Sequence, residues 1–277
     1  MSPAVAGSVR EALVSATDAL AAAGVGSPRL DAELLLADAT GTDRAGLAAY
    51  PDTGVEAPAA RAFGAMVRRR IQREPVAYIL GRKGFRRIEL AVDPRVLIPR
   101  PETELLVDVA LERAPACVLD VGTGSGAVAL AIADELPGAE VTATDTSLDA
   151  LAVAQANRDR LRAAIRLEHG TLPPGENFDL LVANLPYVSD AEWTGLAPEI
   201  REYEPREAVV AGPSGLEAIE ALLSGLALGE TLPRAVALEV GAGQAATVAD
   251  LVRRAGYERT DVRYDLAGIE RVVVGWA

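Results

Sequence analysis

The sequence predicts an α/β protein in which a largely parallel sheet is covered by helices on both faces, preceded by a small helical domain and a β-hairpin. Three observations predict it. From Cys117 onward, short apolar runs alternate with segments of helical periodicity, the pattern of strands joined by crossover helices. Before about residue 80, apolar positions recur at helical spacing. Between the two regions, from Phe85, the period falls to two.

The first helix is read from VREALVSATDALAAAG, whose apolar positions share one face and whose Gly24 suits a C-terminal cap. Ser27 is a candidate N-cap with Pro28 at the first helical position, and LDAELLLADATG runs to a stop at Gly41. Further helices are expected over 43–49 and 56–73, separated by Pro51 and Gly54. Next, Ile88, Leu90 and Val92 alternate with Arg87, Glu89 and Ala91, and Asp93-Pro94-Arg95 turns the chain into Val96-Leu97-Ile98. This reads as a hairpin. The expected organisation is a helical domain over 1–80, a hairpin linker over 81–100 and an α/β domain over 101–277. In the last, CVLDVG, EVTATD, IRLEHG, FDLLVAN and AVALEV are strands, with helices over 126–136, 148–161, 215–227 and 244–255. RTDVRYD and ERVVVGW, joined by Leu266-Ala267-Gly268-Ile269, should form an antiparallel hairpin at one sheet edge.

Composition removes several function classes. With one cysteine and one histidine, an internal disulfide is impossible and no zinc or other metal site is expected. Cys117 lies in an apolar run and reads as a small core residue, and His169 has no nucleophile in an evident triad setting. No apolar run approaches the ~20 residues of a membrane span, and the N-terminus lacks a basic region followed by an apolar one. A cytoplasmic location is expected. A net charge of −13 opposes tight direct nucleic-acid binding, because counterion release requires a cationic face. The charge is uneven, however: between Arg61 and Arg100, eleven Lys or Arg stand against three acidic residues. That stretch is either a solvated surface or a docking face for an acidic partner.

The chemistry concentrates at strand ends. VLDVGTGSGAVALAIA sets a glycine-rich turn between a strand and a helix, where backbone must approach a ligand closely. Gly122, Thr123, Gly124, Ser125 and Gly126 form this turn, which also satisfies the dinucleotide pattern G-x-G-x-x-A. Asp145 closes the next strand, where an acidic side chain accepts both ribose hydroxyls of an adenosine-containing ligand. Nicotinamide cofactors and S-adenosylmethionine both carry that ribose. FDLLVANLPYV narrows the choice. Asn184 ends an otherwise apolar strand and is followed by Leu185, Pro186 and Tyr187, at the carboxyl end where open α/β sheets bind ligands. The Asn side chain and a backbone carbonyl offer two acceptors, and Tyr187 an aromatic wall. Such a set suits an NH2 group, held by both N–H bonds with its lone pair aimed at an electrophilic methyl.

The Asn-x-Pro-Tyr element together with DVGTGSG resembles the amino-methyltransferases. Further stretches are similar to one family among them, the release-factor glutamine methyltransferases: SPRLDAELLLA, REPVAYILG, VLIPRPETELLVD, REYEPREAVVAGPSGLEAIEALL and DLAGIERVVVG. The resemblance spans nearly the whole chain, and VLIPRPETE is its most specific part. It implies a seven-stranded, Rossmann-like class I S-adenosylmethionine-dependent methyltransferase fold and an N-terminal domain that helps to hold the release factor. It further implies methylation of the glutamine in the Gly-Gly-Gln loop of peptide chain release factors. By position, Gly122, Thr123, Gly124, Ser125, Gly126, Asp145, Leu172 and Asn184 would serve the cofactor, and Asn184, Leu185, Pro186 and Tyr187 the substrate glutamine.

Two positions depart from the family pattern. Leu185 replaces the first proline of the usual Asn-Pro-Pro-Tyr, giving a form that resembles ribosomal-RNA adenine dimethyltransferases. Gly170-Thr171 stands where an acidic residue usually follows glycine or serine, so the acceptor for the adenine amino group is missing or moved, with Leu172 as an apolar wall. These departures keep two other readings open: a nucleic-acid adenine methyltransferase, and a catalytically silent module that uses the fold for binding. A nicotinamide oxidoreductase ranks last, since no second mononucleotide-binding half is evident.

Overall fold

The computed structural model describes residues 5–229 and 232–277, so residues 1–4 of the expected helical domain lie outside the described residues. The chain divides into two compact units, Met1–Gly81 and Arg82–Ala277.

In the first unit, helices cover Val9–Ala22, Pro28–Thr40, Arg44–Ala49, Ala57–Ile71 and Val76–Leu80. Ser8 opens the first with a capping box closed by Glu11, and the Asp43 carboxylate caps the third by accepting from Gly46 N at 2.7 Å. One apolar face of each long helix meets in a core that includes Leu13, Leu20, Leu35, Leu36, Phe63 and Val67. A short antiparallel pairing of Val5–Ser8 with Gly54–Glu56, unannounced by the sequence pattern, closes the unit.

Ser27 stands at the N-cap of its helix as expected, with Pro28 in the first turn, but its side chain makes no capping bond. Its hydroxyl donates instead to Asp31 Oδ1 at 2.8 Å, while Asp31 Oδ2 accepts from Arg70 Nε at 2.7 Å with both charged side chains buried. The basic stretch is correspondingly not one solvated face. Arg69 pairs with Glu74, and Arg82, Arg86, Arg95 and Arg100 are all in ion pairs.

The second unit carries a seven-stranded sheet. Its strands are β1 (Cys117–Val121), β2 (Glu140–Asp145), β3 (Ile165–His169), β4 (Leu180–Ala183), β5 (Ala235–Glu239), β6 (Arg259–Tyr264) and β7 (Glu270–Trp276). Their spatial order is β6-β7-β5-β4-β1-β2-β3. All neighbours run parallel except β7, which is antiparallel to both β5 and β6, so the terminal hairpin sits at one edge with β7 inserted inside β6. This is the class I methyltransferase sheet. Alternate residues Leu119, Val121, Leu181, Ala183, Val236 and Leu238 turn to one face, where helices Glu217–Leu228 and Ala245–Arg254 cover them. Because the chain order reverses at β1, loops after β1 and β4 part there and leave a crevice at the strands' carboxyl ends.

The hairpin differs from expectation. Its strands are Arg82–Phe85 and Ile88–Ala91, turning at Arg86-Arg87, whereas Val96-Leu97-Ile98 forms no strand. The reason lies in distant partners. Arg86 takes a left-handed φ of 51°, costly for a side-chain-bearing residue, and its guanidinium makes a two-bond pair with Glu135 (2.7 and 2.8 Å) and a bond to Asp108 (2.6 Å). The fully buried Asn157, on helix Leu148–Leu161, pairs with the backbone of Ala91 through both its amide atoms. The hairpin is thereby part of the sheet-containing unit.

Removing the Asp31 carboxylate should leave Arg70 charged, buried and short of its partner. Asp31→Ala is expected to lower unfolding stability by about 3 kcal/mol, the lower end for breaking a buried ion pair since Arg70 keeps its bond to the Glu74 carbonyl. Denaturant unfolding followed by helical circular dichroism measures it; a loss below about 1 kcal/mol would show that the pair is not held dry.

Candidate active site

Strand β1 delivers its last residues into the glycine turn. Gly122, Gly124 and Gly126 all have left-handed φ values, of 73°, 56° and 84°. The surroundings separate their roles. A Cβ on Gly122 would come within 3.0 Å of Leu185 Cδ2, and one on Gly126 within 2.9 Å of Leu130 Cδ1. A Cβ on Gly124 meets no protein atom within 4 Å, so there the missing side chain leaves open space rather than closer packing. The turn is held from below: Gly122 N and Thr123 N both donate to the Thr144 carbonyl on β2, at 2.9 Å each. Thr123 Oγ1 donates to Asp120 Oδ2 at 2.6 Å, and Asn157 Nδ2 donates to the Ser125 carbonyl at 3.0 Å. Burial pushes the Asp120 carboxyl up to about 6, against the bonds from Thr123 and Ala129 N that favour its charge.

A cavity of about 540 Å³ opens above this turn, within the roughly 300–1,000 Å³ of small-molecule sites. Of the sequence candidates, Gly122, Thr123, Gly124, Ser125, Asp145, Leu172, Asn184, Leu185 and Pro186 line it. Gly126 and Tyr187 are not among the lining residues. Asp145 Oδ2 accepts from Gly124 N and Oδ1 from Ser147 N, both at 2.9 Å, which fixes the carboxylate at the mouth of β2 while each oxygen retains a further lone pair. Thr171 also lines the cavity. Its carbonyl accepts from Thr144 Oγ1 at 2.9 Å, and the carboxylates on the lining are Asp120, Asp145 and Glu207, none of them beside Thr171 in the chain.

At the carboxyl end of β4, Asn184 Nδ2 donates to Thr103 Oγ1 at 3.0 Å, and Asn184 Oδ1 has no partner among the described residues. Thr103 arrives from VLIPRPETE. The buried Glu204 accepts from Ile98 N at 3.1 Å and pairs with Arg100 at 2.5 Å, and Glu104 Oε1 accepts from Arg86 N at 3.0 Å, so this stretch is pinned at three places around Thr103. The chain beyond Asn184 is held by Gln244, whose Nε2 donates to the Tyr187 carbonyl at 2.9 Å and whose Oε1 accepts from Gly241 N at 2.8 Å.

Tyr187 turns toward β5 instead of forming a wall of the cavity. Its hydroxyl makes a long 3.5 Å contact with Glu239 Oε1, and burial followed by the Glu239 charge pushes the phenol up to about 12. Thr103 and Glu239 were not among the sequence candidates. Glu239 carries the same signal as Asn184, a polar residue closing an apolar strand, here AVALE. Thr103 carries none, since a threonine in a polar loop is unremarkable until its partner is known.

Leu185 N makes no hydrogen bond among the described residues, so a proline there removes no hydrogen-bond partner. Leu185→Pro is expected to change stability by no more than about 1 kcal/mol and to leave cofactor affinity within about threefold. Thermal unfolding and calorimetric titration check this, and a fold lost to the proline would mean that the backbone at 185 lies outside proline's range.

A family model of the PrmC N-terminal domain matches residues 11–81, and one of a methyltransferase domain matches residues 118–203. A release factor glutamine methyltransferase of Geobacter sulfurreducens is 42% identical over 263 residues, covering 92% of this chain and 92% of the relative. One of Bordetella pertussis is 44% identical over 260 residues, covering 91% and 96%. The crystal structure of a methyltransferase from Pyrococcus furiosus superposes with a TM-score of 0.51 at 18% identity, over 68% of this chain and 87% of that one, a likeness of fold alone. At such identity over nearly their full lengths, the chain belongs to the release factor glutamine methyltransferase family.

Proposed function

We propose that this chain transfers a methyl group from S-adenosylmethionine to the side-chain amide nitrogen of the glutamine in the Gly-Gly-Gln loop of peptide chain release factors. The observation that carries the reading is the Asn184 amide, fixed by Thr103 and with Oδ1 unpartnered among the described residues, at the edge of the cavity above the glycine turn. The names of the full-length relatives agree with it.

The cavity fits the cofactor. Gly124 leaves space that a Cβ would fill, Asp145 stands where ribose hydroxyls would need acceptors, and Leu172 with Gly225 supplies apolar lining where an adenine would lie. When bound, S-adenosylmethionine supplies an electrophilic sulfonium methyl. The residues then have positioning to do. Asn184 Oδ1 and the Leu185 carbonyl accept the two N–H bonds of the substrate amide, raising electron density on a nitrogen whose lone pair is delocalised into its carbonyl. The Leu185 carbonyl is fixed by the backbone and the Asn184 amide by its bond to Thr103, so little reorganisation is needed as charge develops. The nitrogen's proton, made acidic by methylation, leaves to water or a backbone acceptor. Thr171 brings no carboxylate, so an acceptor for the adenine amino group would have to come from elsewhere on the lining.

The helical unit gives the release factor a second contact, whose binding energy helps to orient the reacting loop. Release factors act in the cytoplasm, where this chain would work; among the described residues no helix is long and apolar enough to cross a membrane.

Mass spectrometry of intact release factor incubated with the protein and S-adenosylmethionine is the direct test. One added methyl at the loop glutamine is expected, and methylation of an RNA substrate with none on release factor would replace this reading by the adenine one. Asn184→Ala is expected to lower kcat by about 10²–10³-fold, as for loss of a transition-state hydrogen-bond partner, with unchanged melting. Asp145→Ala should weaken cofactor binding by about 1.5–3 kcal/mol in calorimetry, as for hydrogen bonds to a charged group. Deleting residues 1–81 should impair methylation of whole release factor far more than cofactor affinity; equal losses in both would deny the helical unit a role in substrate binding.

A further inference from the structure

The residue that offers the second acceptor also brings a side chain to the cavity. Leu185 lies just beyond β4 and is half-buried. Three contacts fix where its isobutyl group stands. It packs against the apolar cluster that holds Val121, Ala183 and Leu238, it lines the cavity, and its Cδ2 lies 3.0 Å from the point that a Cβ on Gly122 would occupy. With core behind it and the glycine turn beside it, the side chain cannot draw back from the cavity. Packed surroundings of this kind register a change of even one methylene.

On the reading above, Asn184 Oδ1 and the Leu185 carbonyl hold the substrate nitrogen, and the transferred carbon passes to it from the sulfonium. The Leu185 side chain then stands beside the carbon that moves, since it springs from the residue that carries one acceptor and rests on the turn beneath the cavity. We propose that Leu185 sets the size of the group transferred, its isobutyl side chain leaving room for a methyl at the substrate nitrogen and excluding a larger alkyl. This rests on the reading of Asn184 and the Leu185 carbonyl as the substrate acceptors. The role belongs to the side chain alone, because any residue at 185 keeps the carbonyl.

S-adenosylethionine, which carries one more methylene on the sulfonium, is the probe. With either cofactor the carbon–sulfur bond breaks as the nitrogen–carbon bond forms. The bonding pair leaves with sulfur, giving S-adenosylhomocysteine, and the amide proton goes to water. Ethyl is intrinsically the slower group, by a factor common to all variants. The ratio of ethyl to methyl transfer, compared between variants, therefore isolates the fit of the extra methylene, for which a tight apolar site discriminates about 10–200-fold.

The test measures kcat/KM for each cofactor on whole release factor, with mass spectrometry telling ethyl from methyl at the loop glutamine. Leu185→Ala, which gives up three side-chain carbons, is expected to raise the ethyl-to-methyl ratio about tenfold or more over wild type. Leu172→Ala, which removes the same carbons elsewhere on the lining, is expected to leave the ratio within about twofold. Should Leu185→Ala not fold or not turn over, Leu185→Val decides: it gives up one carbon, the bulk that ethyl adds, and a rise of about tenfold is expected. Calorimetry supplies a second readout. Without release factor the extra carbon can lie where the amide will enter, so wild type should bind the two cofactors within about threefold of each other.

An unaltered ratio in the Leu185 variant, an equal rise in Leu172→Ala, or a binding preference as large as the preference in kcat/KM overturns the size role. The underlying reading fails separately. Methyl transfer to the loop glutamine with an unaltered ratio removes the size role alone, whereas no methyl on release factor from the wild type removes the acceptor reading as well.

Discussion

Glu204 is buried among the loops above the sheet, and its two carboxylate oxygens hold the stretch that carries Thr103. One accepts from Ile98 N and the other pairs with Arg100, while Glu104 anchors the far side through Arg86 N. A buried carboxylate is costly unless both oxygens are engaged, and here the engagement fixes backbone on one side and a cation on the other. Without it, Thr103 would be one threonine on a loop rich in prolines. With it, Thr103 meets the end of β4, and the Asn184 amide acquires a single orientation. The Asn184 end of the cavity thus depends on an ion pair, Arg100 with Glu204, that does not line it.

The glycine-turn end of the cavity depends on a different support. The glycine turn is tied to β2 through Thr144, to its own strand through Thr123 and Asp120, and to the hairpin through Asn157. Asn157 bonds both to Ala91 and to the Ser125 carbonyl, so the hairpin and the turn share one buried side chain. Backbone groups that approach a ligand have no side chains of their own to hold them, and the fixing must come from neighbours. That is why polar side chains, rare in a sheet core, gather beneath this turn.

The parts of the site that were legible in the sequence are those whose cause is local. Gly122, Gly124 and Gly126 announce left-handed backbone, Asp145 closes a strand, and Asn184 is the polar end of an apolar run; all but Gly126 line the cavity. The hairpin was legible in kind but not in register. Asp93-Pro94-Arg95 has the better local turn chemistry, yet the chain turns at Arg86-Arg87, because Arg86 finds Glu135 and Asp108 far along the sequence and these offset its unfavourable φ. Ser27 takes the N-cap position that the sequence indicates but makes no side-chain capping bond, for the same kind of reason, its hydroxyl being drawn to a carboxylate that faces Arg70.

The sequence by itself therefore determined the fold class, the seven strands of the main sheet with their crossover helices, the glycine turn and the polar strand ends, since periodicity, turn chemistry and residue type act over a few neighbouring positions. The family resemblance followed from stretches of that kind. Only the tertiary structure decided that Tyr187 faces Glu239, how VLIPRPETE is pinned, and that Thr103 stands behind Asn184. These depend on contacts such as Asn184 with Thr103, 81 positions apart, and Arg100 with Glu204, 104 apart. Hydrogen bonds of that separation leave no periodic trace, because each is made by a single residue whose partner is brought near only when the sheet has formed.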